Sequence, residues 1–166
     1  DTSSSSFVSS FPFANPTTSL TFELGIGDDS LSLGDFATNF GDGKTIIFRG
    51  GDGLNTLAAH DVANTWHVTG DNQGTLAFNG GNAISASFTS MQLLLGGTDD
   101  DTFTFAADKT VVSFSGGDVD ATKTNKVVYT SSDDSPLNLV LLENFTDIDE
   151  IVGGAGNNDT LIGSPH

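Results

Sequence analysis

Carboxylates in this chain gather behind glycines. Asp28 and Asp29 follow Gly25-Ile26-Gly27, and Asp52 lies between Gly51 and Gly53 with Asn55 close behind. Asp99, Asp100 and Asp101 follow Gly96-Gly97-Thr98, while Asp118 and Asp120 follow Gly116-Gly117. Asn157 and Asp159 come after Gly153-Gly154-Ala155-Gly156. Glycine permits the left-handed backbone angles of a tight turn and leaves carbonyl oxygens facing inward. Carboxylate and carbonyl oxygens together are the ligand set of a hard cation such as Ca²⁺, which takes about six to eight of them at about 2.3–2.6 Å. Two such turns, stacked, would supply that number. All of these Asp and Asn residues are therefore candidate metal ligands. The adjacent carboxylates of Asp99, Asp100 and Asp101 are the sharpest candidate, because they repel unless solvated or paired with a cation.

The charge balance favours the same chemistry. With 22 acidic and 5 basic residues among 166, the formal charge is −17. That field repels nucleic acid and anionic lipid, so neither is an expected partner. A bound cation would relieve its self-repulsion. The chain has no cysteine, which leaves the redox compartment open. No apolar run approaches the roughly 20 residues that cross a bilayer as a helix, so membrane insertion is not expected. The N-terminal Ser-rich stretch lacks a basic region and a long apolar core, and reads as the start of a mature or excised piece.

The turns must be positioned by strands. Helical periodicity is almost absent, and short β-branched or aromatic runs recur between Gly, Asp and Asn clusters: SLTFEL, KTIIFR, TWHVTG, GTLAF, TFTF, KVVYT and DTLIG among them. About a dozen such strands imply an all-β fold. The turns also resemble one another, and similar turns behind similar strands mark stacked coils. Their uneven spacing predicts an irregular right-handed parallel β-helix, a β-roll-like solenoid, over residues 19–163. Residues 1–18 read as a linker or edge strand and 164–166 as a tail. Leu24, Ile47, Leu57, Leu76, Leu94, Phe103, Phe114, Val128, Leu139 and Leu161 are the predicted core. Trp66 is expected in that core, with its neighbour His67 facing solvent.

The turns match the nonapeptide G-G-x-G-x-D-x-apolar-x, in which the Asp and the glycine carbonyls face an ion. On these residues the chain resembles the hemolysin-type (RTX-like) calcium-binding repeats. It is also similar to modules of giant bacterial adhesin- or haemagglutinin-like surface proteins, through Asn64–Leu76 and Ser87–Phe105. The likeness covers most of Ser19–Gly163. It implies Ca²⁺ at the acidic turns and a structural role in a secreted adhesin or extracellular filament at the bacterial cell surface. Departures are visible: Asn55 stands where the pattern has Asp, Asp99 replaces a glycine, and the last turn carries an extra Asn.

No catalytic set is expected. Arg49 is the only arginine, the lysines form no compact cluster, and neither G-x-S-x-G nor G-x-x-x-x-G-K-[ST] occurs. Two other readings remain open. One is a filament subunit joined by addition of its N-terminal strand. The other is a glycan-binding module, which requires Trp66, with Tyr129, on the surface.

Overall fold

The computed structural model describes residues 14, 16–34, 44–78, 84–117, 122–130, 137–138, 144–154 and 161–162. These residues contain strands and turns and no helix. An eight-stranded sheet holds β1 (Ser19–Glu23), β3 (Thr45–Arg49), β5 (Asn64–Gly70), β6 (Gln73–Phe78), β7 (Ile84–Thr89), β9 (Thr102–Phe105), β11 (Lys126–Tyr129) and β14 (Glu150–Val152). A five-stranded sheet holds β2 (Ser30–Ser32), β4 (Thr56–Ala58), β8 (Leu93–Leu95), β10 (Ser113–Ser115) and β13 (Phe145–Thr146). A third sheet pairs β12 (Leu137–Asn138) with β15 (Leu161–Ile162), so Leu161-Ile162 is a strand as its sequence implies.

Along the chain the strands alternate between the two larger sheets, and each pairs in parallel with one much later in sequence. β1 lies beside β3 with Ser19 opposite Thr45, and β9 beside β11 with Thr102 opposite Lys126. β2, β4, β8, β10 and β13 follow one another in parallel across the second sheet. The exception is β5–β6–β7, an antiparallel meander whose outer strands rejoin the parallel ladders through β9 and β3. The all-β expectation therefore holds, with parallel and mixed sheets.

Turns meet according to the direction in which they cross between the sheets. The turn after β1 lies on the turn after β3: Gly27 N–H donates to the Asp52 carbonyl at 3.0 Å, and Asp52 N–H to Gly25 at 3.0 Å. Both cross from the eight-stranded to the five-stranded sheet. Gly96-Gly97 crosses the other way and lies on Gly116, with Gly97 N–H donating to the Gly116 carbonyl at 3.1 Å. The glycine turns that look alike in sequence thus occupy two corners rather than one column.

Apolar side chains alternate inward. The core contains Leu57, Leu76, Leu94, Phe103 and Phe114 as expected, and Trp66 at 0% exposure. Ile47 and Val128 are corrections. Ile46, Phe48 and Val127 take the inward positions, leaving Ile47 and Val128 half-buried on the opposite face. Thr45-Ile46-Ile47-Phe48 and Val127-Val128 are apolar without alternation, and a shift of one residue exchanges the faces. Leu24 is half-buried against the core, while Leu139 and the Leu161 side chain lie outside the description.

Candidate metal centre at the acidic turns

Two columns of polar side chains run through the corners. Asn64 N–H donates to Asp101 Oδ1 at 2.9 Å, Asp101 N–H to Asn125 Oδ1 at 2.8 Å, and Asn125 N–H to Asp149 Oδ2 at 2.8 Å. At the other corner Asp29 N–H donates to Asn55 Oδ1 at 3.0 Å, and Asn55 N–H to Gln92 Oε1 at 2.8 Å. Each side chain thus satisfies a backbone donor on a bend earlier in the chain, where the sheet ladder cannot. Asn55, Asn64, Asp101 and Asn125 are buried. Asn64, Gln92, Asn125 and Asp149 were not among the sequence candidates. For Asn64, Asn125 and Asp149 the signal was an Asx residue two places before an apolar strand residue, as in Asn64-Thr65-Trp66, Asn125-Lys126-Val127 and Asp149-Glu150-Ile151, whereas Gln92 carried no such signal.

Asn55 also replaces the expected ligand Asp for a structural reason. Its Nδ2 donates to the Ser90 carbonyl at 3.2 Å. Asp101 occupies the matching place in its own column but carries a carboxylate. A Cβ at Gly50 would overlap the Ser90 carbonyl oxygen and crowd the Asn55 amide nitrogen. A Cβ at Gly96 would likewise overlap the Gly116 carbonyl oxygen and Asp101 Oδ2. Where Asn55 presents a donor to a carbonyl, Asp101 therefore presents a second acceptor. Asp101 Oδ2 is buried and has no hydrogen-bond partner, and Asp29 Oδ2 is in the same condition.

The remaining candidates lie further out. Asp28 Oδ1 accepts Leu54 N–H at 2.8 Å, and Asp100 Oδ1 accepts Thr124 N–H at 2.7 Å, each bridging two neighbouring turns. Asp99 pairs with Lys123 Nζ at 2.6 Å, and that bond holds its carboxyl below the ordinary value. Asp52 is exposed, with its backbone bonded into the first turn pair. Asp118, Asp120, Asn157 and Asp159 lie outside the described residues. Among the described residues, no three His, Asp or Glu side chains converge closely enough to hold an ion by themselves. An ion at these turns would need backbone carbonyls as well, and the Gly116 carbonyl beside Asp101 is one.

Burial raises the Asp101 carboxyl to about 7, with Asp99 and Asp100 adding to the rise. The unfolded value is near 3.8, so the folded chain holds this proton more tightly. Stability contributed here is present below pH 4 and is lost as pH rises toward 7. Asp101→Asn should restore the missing donor and remove the buried charge. The expected gain at pH 8 in EGTA is roughly 1–3 kcal/mol, several degrees in Tm, shrinking to little at pH 4. Thermal melts of both proteins across pH check this, and equal Tm at pH 8 would contradict it.

Chain comparison adds no relative: no protein family, curated protein or solved structure matches the sequence.

Elsewhere, His67 is exposed as expected and Trp66 is buried between Phe103 and Phe88. Tyr129 is half-buried against Phe105, and burial pushes its hydroxyl up to about 12. These two rings form no exposed pair. A shallow 260 Å³ depression beside Ser32, Ala58 and Gly97 has Asp61 as the ionisable group among its lining residues. One carboxylate there does not make the acid–base pair of a glycosidase.

Proposed function

We propose that this chain is a calcium-stabilised structural module of a secreted bacterial surface adhesin or extracellular filament. In this reading the alternating strands are the circuits of an irregular right-handed β-helix. The observation that carries it is the polar column through the corners, with two buried carboxylate oxygens, on Asp29 and Asp101, facing no donor. A cation in either place would supply the partner that the orphaned oxygen lacks. Asp101 with the Gly116 carbonyl would hold one ion, near Asp99 and Asp100. Asp29 would hold another, near Asp28 and Asp52. Asp118, Asp120, Asn157 and Asp159 remain candidates of the same kind. The ion would tie adjacent circuits together, so rigidity would couple to the calcium outside the cell.

Limited proteolysis in EGTA, CaCl₂ and MgCl₂ tests this. Calcium alone should slow cleavage at the glycine turns, and equal digestion in all three would count against it. A second reading, assembly into filaments, is favoured by β14, an edge strand with Ile151 and Val152 exposed at 37% and 36%. Sedimentation at rising concentration separates that reading from a monomeric module. A glycan-binding role loses the aromatic platform it required, because Trp66 is in the core.

A further inference from the structure

The outer face of the eight-stranded sheet carries hydroxyls in ranks. Ser87, Thr75 and Thr104 fall in one rank across β7, β6, β5 and β9, with His67 filling the β5 place. Ser85, Thr65 and Thr102 fall in the next, with Ala77 on β6. All eight alternate with buried residues, so they point outward together. The chain has 22 acidic and 5 basic residues, yet β5, β6, β7 and β9 contain no Asp, Glu, Lys or Arg. Among the described residues, charge appears on this face only toward its margins, as the Glu23–Arg49 pair and as Lys126 and Glu150.

Strand propensity explains threonine on a strand but not the exclusion of charge from the middle of a strongly acidic surface. A face without charge does not attract ionic surfaces or nucleic acid. With no outward Trp, Tyr or Phe on its central strands, it offers neither sugar stacking nor the aromatic anchors of a protein interface. What it offers is a neutral grid of hydroxyls and methyls, about 4.8 Å between strands and about 6.7 Å between alternate residues. Tetrahedral water with O–H···O near 2.75 Å repeats at about 4.5 Å between second neighbours and about 7.3 Å along the hexagonal axis of ice. The two grids agree to about a tenth. Threonine hydroxyls can bond lattice water while their methyls fill the spaces between.

We propose that this face binds the surface of ice. The proposal is independent of calcium at the turns, and it assigns the eight-stranded sheet a ligand of its own.

The test is ice growth in the presence of the folded chain, followed by osmometry, ice recrystallisation and capture of fluorescently labelled protein on a growing crystal. Wild type should shape the crystal, show a hysteresis gap and accumulate in the ice. Thr75→Lys and Thr104→Lys should lose all three, and Thr75→Val should weaken them. Ser30→Lys, on the five-stranded sheet, should leave them unchanged. Circular dichroism and Tm, measured on every variant, separate loss of binding from loss of fold. Unshaped ice with folded wild type overturns the proposal. Equal loss in Ser30→Lys, or retention on crystalline cellulose or chitin without any effect on ice, also overturns it.

Discussion

Gly51→Ala is expected to destabilise the chain by roughly 2–5 kcal/mol, combining about 1–2 for a left-handed non-glycine residue with about 1–3 for overpacking. Gly51 has φ +85°, and a Cβ there would overlap the carbonyl oxygen of Gly25 in the turn it rests on. That oxygen accepts Asp52 N–H, so it cannot retreat without breaking the contact between the two turns. Gly25 is the control. Its φ is +102°, yet a Cβ there meets nothing within 4 Å, so Gly25→Ala should cost only roughly 1–2 kcal/mol. Urea unfolding of the two variants separates backbone strain from stacking. Equal midpoints would mean that the close approach of the turns contributes nothing.

Trp66→Ala should cost roughly 3–5 kcal/mol, the range for truncating a fully buried large aromatic. Trp66 lies parallel to Phe103 at 5.7 Å and 4°, and edge-on to Phe88 at 5.9 Å and 71°. Phe88 is on β7 and Phe103 on β9, so this one side chain joins the antiparallel meander to the parallel ladder. Its Nε1 has no partner, so Trp66→Phe discards an unsatisfied polar group along with some volume and should cost less than about 1.5 kcal/mol. Near-UV circular dichroism and urea midpoints read the pair. A mild Trp66→Ala phenotype would mean that the meander is held by its strand pairing alone.

Much of this arrangement is legible in the sequence, and the failures have definite causes. Trp66 and His67 are assigned correctly because alternation around them is strict. Ile47 and Val128 are misassigned because the runs containing them are apolar on both sides. The turns are recognisable from glycine and Asp, but their partners are not, because turns that enter the five-stranded sheet and turns that leave it carry the same signal. Gly50 follows β3 of the eight-stranded sheet and Gly96 follows β8 of the five-stranded one, so they lie at different corners. Asn55 looks like a degraded ligand in the nonapeptide pattern. In the fold its amide is what the corner needs, donating to Ser90 while its oxygen caps Asp29. Asp101 keeps the pattern's carboxylate in the equivalent place, and it is the residue left with an orphaned oxygen. Motif similarity alone ranks those two residues the other way about as structural elements.

Thermal unfolding of the wild-type chain in EGTA, in millimolar CaCl₂ and in MgCl₂ tests the central claim most directly. Binding only to the folded state at a hundred times Kd stabilises by about 2.7 kcal/mol, so calcium should raise Tm by several degrees. Magnesium should do much less, and Asp101→Asn should lose part of the calcium gain. An identical Tm in all three solutions would contradict calcium stabilisation and leave the acidic corners as turns closed by hydrogen bonds alone.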